Sequence, residues 1–261
     1  MNTKLSTDEL FHFTRFENLI NIIKEGFYSR YNLEHTYLSN LFERPSAITS
    51  IPMVCFCDIP LTMVHEHSSK YGKCAIGLDK KWGEKYGLSP VIYVHKNSRI
   101  GDAFSALSNT IANHLPTIQN NTDVNMAMMV STLAIGLGQL SYYLKQYERI
   151  EDEHYYVNQN RFTFKKGRFY DEREWRFVPM DDSEDGIWLI NAETLLNKEE
   201  LEKAHEKLKK HALKFEINDI KYIVTETEEQ KQILLNLISE KYQVATDLIA
   251  NKIMFTQVEL P

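Results

Sequence analysis

Cysteine is scarce in this 261-residue chain, which has only Cys55, Cys57 and Cys74. An odd count gives no even disulfide framework, and a chain of this length can bury enough core without one. Reduced thiols in a cytoplasmic protein are therefore expected. Positive charge is also short. Thirty Lys and Arg face 36 Asp and Glu, a formal net charge of -6, so no broad electrostatic drive toward nucleic acid or anionic membrane is expected. The opening stretch, Met1 to Glu9, lacks the apolar centre of a signal peptide. No Gly-x-Gly-x-x-Gly, Walker-type loop or Gly-x-Ser-x-Gly elbow occurs, and there is no repeat, low-complexity tract or Gly/Pro/Ser-rich linker.

Long apolar runs are rare too, with one exception. From Val124 to Leu144 no residue is charged, which is long enough to span a bilayer. Asn125, Ser131, Thr132, Gly136, Gly138, Gln139 and Ser141 dilute it, and its flanks are Asp123 and Lys145, so no basic end marks an inside face. A helix buried inside the protein or docked on a partner is expected there, and no membrane association.

What remains is the composition of a soluble globular domain, 43% hydrophobic and 25% charged. Periodicity predicts strands at Leu10–Thr14, Met53–Asp58, Cys74–Leu78, Val91–Val94, Ile187–Ile190 and Ile220–Val224. It predicts helices from Arg15 to a Gly26 stop, from a cap at Asp79, through 101–150, over Lys198–Leu213 and over Glu228–Tyr242, with a helical turn over Leu61–Tyr71. Residues 27–44 show no period and read as a long aromatic loop carrying Tyr28, Tyr31, His35 and Tyr37. Thr163 to Arg168 leads into the acidic strand below, and Asp181 to Gly186 reads as an acidic turn. Short strands with helices between them indicate a single α+β domain over 1–261, with a helical insertion near 101–150.

The informative stretch is Phe169 to Pro179. Read as a strand, it places Glu172, Glu174 and Arg176 on one face, and Arg173, Trp175 and Phe177 on the other. Like charges side by side repel unless a cation or ligand compensates, and Arg176 is placed to be that cation. Two readings stay open: an edge strand with a salt-bridged polar face, or a strand carrying a catalytic carboxylate at Glu174. His12 and Thr14 likewise share one face of the first strand, where a lone histidine is commonly just a hydrogen-bonded group at a core edge. A metal centre is not expected. Cys55-x-Cys57 followed by His65-x-His67 does not match the spacing of structural zinc sites.

Phe11-His12-Phe13-Thr14, with Asn18-Leu19 and Ile22-Ile23-Lys24-Glu25-Gly26, resembles the opening of ADP-ribosyltransferase-like proteins, and Glu172-Arg173-Glu174 resembles their Glu-x-Glu motif. Phe11–Gly26, Val54–Leu61, Tyr71–Leu78, Pro90–Val94 and Glu172–Pro179 together resemble the AbiGi family, one member of a two-gene abortive-infection system against phage described as antitoxin and toxin.

The first resemblance implies a split mixed or antiparallel sheet with NAD as substrate in its cleft. Glu174 would stabilise an oxocarbenium-like transition state beside the ribose, and Glu172 would orient the acceptor. His12 would bind the adenine-side ribose with Thr14 beside it. Arg15, Lys165, Lys166 or Arg176 would meet the pyrophosphate, and Tyr28 or Tyr31 would stack on nicotinamide. The chain shows neither the central tyrosine of one transferase subgroup nor the full Ser-Thr-Ser of another, of which Thr49-Ser50 is a fragment.

Three functions follow as expectations. The first is ADP-ribose transfer to a macromolecule. The second is a non-catalytic antitoxin restraining a companion toxin through the uncharged 124–144 helix and the charged helix near 198–213. The third, less favoured, is nucleic-acid binding through Lys165, Lys166, Arg168, Arg173 and Arg176.

Overall fold

The computed structural model describes residues 6–35, 48–60, 71–118, 124–157, 159–179, 190 and 193–255. The elements run β1 (Glu9–Thr14), α1 (Phe16–Glu25), β2 (Arg30–His35), β3 (Ile48–Cys57), β4 (Cys74–Asp79), α2 (Lys80–Lys85), β5 (Ser89–Pro90), β6 (Ile92–Val94), α3 (Arg99–Ile118) and α4 (Val124–Ser141). The rest are β7 (Leu144–Gln146), β8 (Glu148–Arg149), β9 (Glu153–Val157), β10 (Asn160–Phe164), β11 (Gly167–Arg168), β12 (Glu174–Phe177), α5 (Lys198–Leu208), β13 (Ile220–Thr225), α6 (Glu228–Tyr242), α7 (Asp247–Ala250) and β14 (Ile253–Phe255).

One sheet organises these pieces, in the order β14-β13-β4-β1-β3-β12-β5, with β2 added to β3. It is mixed: β13 and β14 run parallel, while its other neighbours pair antiparallel. The apolar stripe of α1 (Leu19, Ile22, Ile23) and that of α6 (Leu234, Leu235, Ile238) close over Leu10, Ile76, Leu78 and Ile223, forming the main core. Trp82 and Phe56 extend that core beneath β3.

A break in the pairing positions the cleft. β1 follows β4 over six residues, but it meets β3 at the single pair Phe11↔Cys57. β2 takes up the other half of β3, from Ile48 to Met53. Val54, Cys55 and Phe56 are therefore left without a β1 or β2 partner, and the sheet parts there. The Cys55 carbonyl, released from the ladder, accepts instead from His12 Nδ1 at 2.8 Å.

Several sequence expectations are corrected. Residues 30–35 form a strand rather than part of a loop, because Leu33 and His35 pair with Ser50 and Ile48 of β3. The helical region ends at Ser141, and β7 and β8 follow within 144–149, since Leu144–Gln146 pairs parallel with β6. A β9–β10 hairpin, unread in the sequence, precedes β11. The strand predicted over 169–179 is a 3-10 turn at Phe169–Glu172, then Arg173 at φ 44°, and only then β12. β12 is also no edge, lying between β3 and β5.

The uncharged helix α4 is not buried inside the protein; none of its residues is buried, and among the described residues its main packing partner is α3. It is long and apolar enough to cross a membrane. The predicted turn over residues 61–70, the acidic turn at 181–186, most of the predicted strand at 187–190, Tyr37, His65 and His67 lie outside the described residues.

Gly26 ends α1 at φ +86°, and a Cβ built there would sit 2.4 Å from the Leu213 carbonyl oxygen. Gly26→Ala is therefore expected to lower unfolding free energy by about 1–3 kcal/mol, combining left-handed strain with a backbone clash. Urea denaturation measures it, and an unchanged midpoint would contradict the assignment.

Candidate functional site

Where the sheet parts lies a cavity of about 680 Å³. β1 contributes His12 and Thr14, the far wall contributes Glu172 and Glu174, and the floor is Met53 to Cys55 and Cys57 of β3. Tyr28, Arg30, Asn32 and Glu34 close one side, with Lys209 beyond. Of the ten residues given a place at an NAD site from the sequence, five therefore line one cavity: His12, Thr14, Tyr28, Glu172 and Glu174.

The other five do not. Arg15 occupies the N-cap position of α1 and is exposed. Tyr31 stacks on His205 at 5.7 Å, its backbone N–H donating to His205 Nε2. Arg176 is fully buried behind the wall, out of reach of a pyrophosphate or a nucleic-acid backbone. Lys165 is held by Asp152 at 2.8 Å and lines a smaller adjoining cavity, and the Lys166 backbone N–H donates to the same Asp152 carboxylate.

Arg176 builds the acidic wall. Its Nε donates to Glu174 Oε1 at 2.5 Å, Nη2 to Glu34 Oε1 at 3.0 Å, and Nη1 to the Tyr142 carbonyl at 2.8 Å. Lys145 Nζ then bridges Glu172 Oε2 and Glu174 Oε2, each at 2.8 Å. The Tyr71 hydroxyl donates to Glu172 Oε1 at 3.0 Å, and the Glu174 backbone N–H donates to the Tyr93 hydroxyl at 2.8 Å. Both carboxylates are nearly out of water, at 7% and 5% exposure. The i, i+2 acidic pair is thus compensated as expected, although the left-handed Arg173, not a continuous strand, aims the two acids together.

Burial by itself would push Glu174 toward its neutral form, but Lys145 and Arg176 hold the carboxyl far below the usual range. Burial likewise works against a charged Lys145, while Glu174, Glu34 and Glu172 keep its pKa well above normal. Three carboxylates face two cations, so the wall carries formally one excess negative charge. Burial lowers the His12 pKa. Because a carbonyl can only accept, Nδ1 carries the proton and Nε2 keeps its lone pair as an acceptor. Burial and nearby Glu174 raise the Cys55 pKa, which makes this thiol a poor nucleophile.

Lys145, Glu34, Tyr71 and Tyr93 escaped the sequence reading. Lys145 did leave a signal, as the first charge after the 124–144 run. Tyr71 and Tyr93 fall in stretches that carried the family resemblance but were given no role there, and Glu34 is brought in by the pairing of β2 with β3.

These features define an α+β protein with a mixed sheet that opens over an acid-walled cleft. A profile of the family described as "Putative abortive phage resistance protein AbiGi, antitoxin" matches residues 25–226, and the chain belongs to that family. The matched stretch contains Glu34, Lys145, Glu172, Glu174 and Arg176, and begins after His12 and Thr14. The "Abortive phage resistance protein AbiGi" of Lactococcus lactis subsp. cremoris is 25% identical over 220 residues, covering 78% of this chain and 85% of that protein. No solved structure matches.

The Arg176 network predicts two stability effects. Arg176→Met takes the guanidinium from buried Glu174 and half-buried Glu34 and is expected to cost about 3–5 kcal/mol. Glu174 has a folded pKa below its unfolded value, so its stabilisation is present above about pH 4.3 and is lost as pH falls further. Unfolding free energy should therefore drop more steeply below about pH 5 in the wild type than in Glu174→Gln. Urea titrations across pH test this, and parallel acid limbs would contradict it.

Proposed function

We propose that this chain acts in abortive phage defence beside a companion toxin, and that the cavity between His12 and Glu174 binds an NAD-like dinucleotide. One observation carries the reading: two segments 160 residues apart in sequence wall a single cavity whose volume suits a small-molecule ligand. The companion follows from the family's description as an antitoxin.

The chemistry follows from the charges. Loss of nicotinamide leaves an oxocarbenium-like centre, and an ionised carboxylate in a dry wall stabilises it. Glu174 is kept ionised by its two cations, and the excess negative charge of the wall favours a developing cation. Glu172 beside it would receive or orient the acceptor hydroxyl. The bare Nε2 of His12 would accept from a ribose hydroxyl, and Tyr28 offers a ring at the rim. Lys145 now occupies Glu174 Oε2, so a ribose hydroxyl must displace it or share that oxygen.

That occupancy favours one second reading, a non-catalytic antitoxin in which the acidic wall is structural and other surfaces hold the toxin. Glu174→Gln separates the two. With adenylate-labelled NAD and cell lysate, the wild type should transfer label, and the variant should lose about 10²–10³-fold. Should neither chain bind nor transfer NAD while both restrain the toxin in cells, the enzymatic reading is refuted and the binding reading stands.

A further inference from the structure

α4 is uncharged and apolar over most of its circumference, broken by a polar stripe of Asn125, Thr132 and Gln139 at seven-residue spacing, and a helix face that apolar is normally covered. Among the described residues, its own chain covers one side. Ala127, Val130, Ala134, Leu137 and Ser141, spaced 3, 4, 3 and 4, are partly covered, as is Gly138, and α3 is what the helix packs on. A second series with the same spacing, Met126, Met129, Leu133, Gly136 and Leu140, lies one residue earlier, about 100° around the helix, and is exposed.

α3 repeats the arrangement. Phe104, Ser108 and Ile111 are partly covered, while Ile100, Ala103, Leu107, Thr110 and His114, again one residue earlier, are exposed. Only five residues separate the two packed helices in sequence, so they form an antiparallel hairpin. A backward shift of one residue turns in opposite senses on antiparallel helices, so both exposed series come to the same face. On that face Ile100, Leu107, Met126, Met129, Leu133 and Leu140 are each between 45% and 59% exposed, and none of the series is charged. A Cβ built on Gly136 meets nothing within 4 Å, leaving mid-seam room for another helix.

We propose that this face is the interface of a homodimer, in which the α3–α4 hairpins of two copies pack as a four-helix bundle. Two heptad series about 100° apart suit a helix with two neighbours, one supplied by its own hairpin and one from outside. A two-fold axis matches the face with itself, and with no charge along it nothing selects against a second copy. An 18-residue helix is about 27 Å long and a helix pair about 20 Å wide, so two faces bury on the order of 1,000 Å², the lower limit for a specific interface. A lipid occupant fits less well, because α3 places Thr110 and His114 on the same face.

Light-scattering mass measurement on the purified chain tests this. The wild type should run near 61 kDa, twice 30.6 kDa, at concentrations up to about 100 µM. Met129→Glu/Leu133→Glu should return it to 30.6 kDa with unchanged circular dichroism, and Leu107→Glu on the neighbouring helix serves if that variant unfolds. Asn109→Glu, on the opposite face, should remain dimeric. A wild type that stays at 30.6 kDa overturns the proposal, whether or not it then binds a toxin or lipid vesicles. Dimers that survive the seam substitutions overturn it as well.

Discussion

A guanidinium buried at 0% exposure pays a large desolvation cost, and the acid-walled cleft exists because Arg176 meets that cost with three partners from three parts of the chain. Glu174 belongs to its own strand, Glu34 to β2, and the Tyr142 carbonyl to the segment following α4. Removing any partner would leave charge or a donor stranded in a low dielectric. The network therefore fixes how β2, β12 and the foot of the hairpin meet, and with them the shape of the cavity. Lys145 depends on the same arrangement, since both its acids sit where Arg176 and the left-handed Arg173 place them.

Much of the fold was legible wherever a single element obeys its own period. α6 falls at its predicted residues, β1 and β13 extend theirs by one residue, and α1 ends at Gly26 because only a residue without a Cβ fits against the Leu213 carbonyl. Failures cluster where partners outside the segment decide. Arg30–His35 has no clean alternation of its own and becomes a strand because β3 offers an edge. Residues 142–149 look like a continuing helix until β6 captures Leu144–Gln146.

The candidate site shows the same division. Paired residues at i and i+2, His12/Thr14 and Glu172/Glu174, stand out in sequence and line one cavity in the fold. Arg176 stood out too, but it serves the wall from behind. Lys145 could not be assigned, because a lysine after an apolar run is ordinary until a strand turns it toward two acids. The hairpin was half legible. The lack of charge in α4 was plain, whereas its exposure was not, because hydrophobicity predicts that a surface will be covered without saying by what. Its root adjoins the site directly: α4 ends at Ser141, next to the Tyr142 carbonyl that Arg176 holds.

The central claim is that His12 and Glu174 wall a single dinucleotide cavity. The most direct measurement is the electron density of crystals grown with NAD. The account predicts a nucleotide lying between the His12 imidazole and the Glu174 carboxylate, with Lys145 moved from its bridge or sharing it. A nucleotide bound elsewhere while the cavity keeps the Lys145 bridge intact would contradict it.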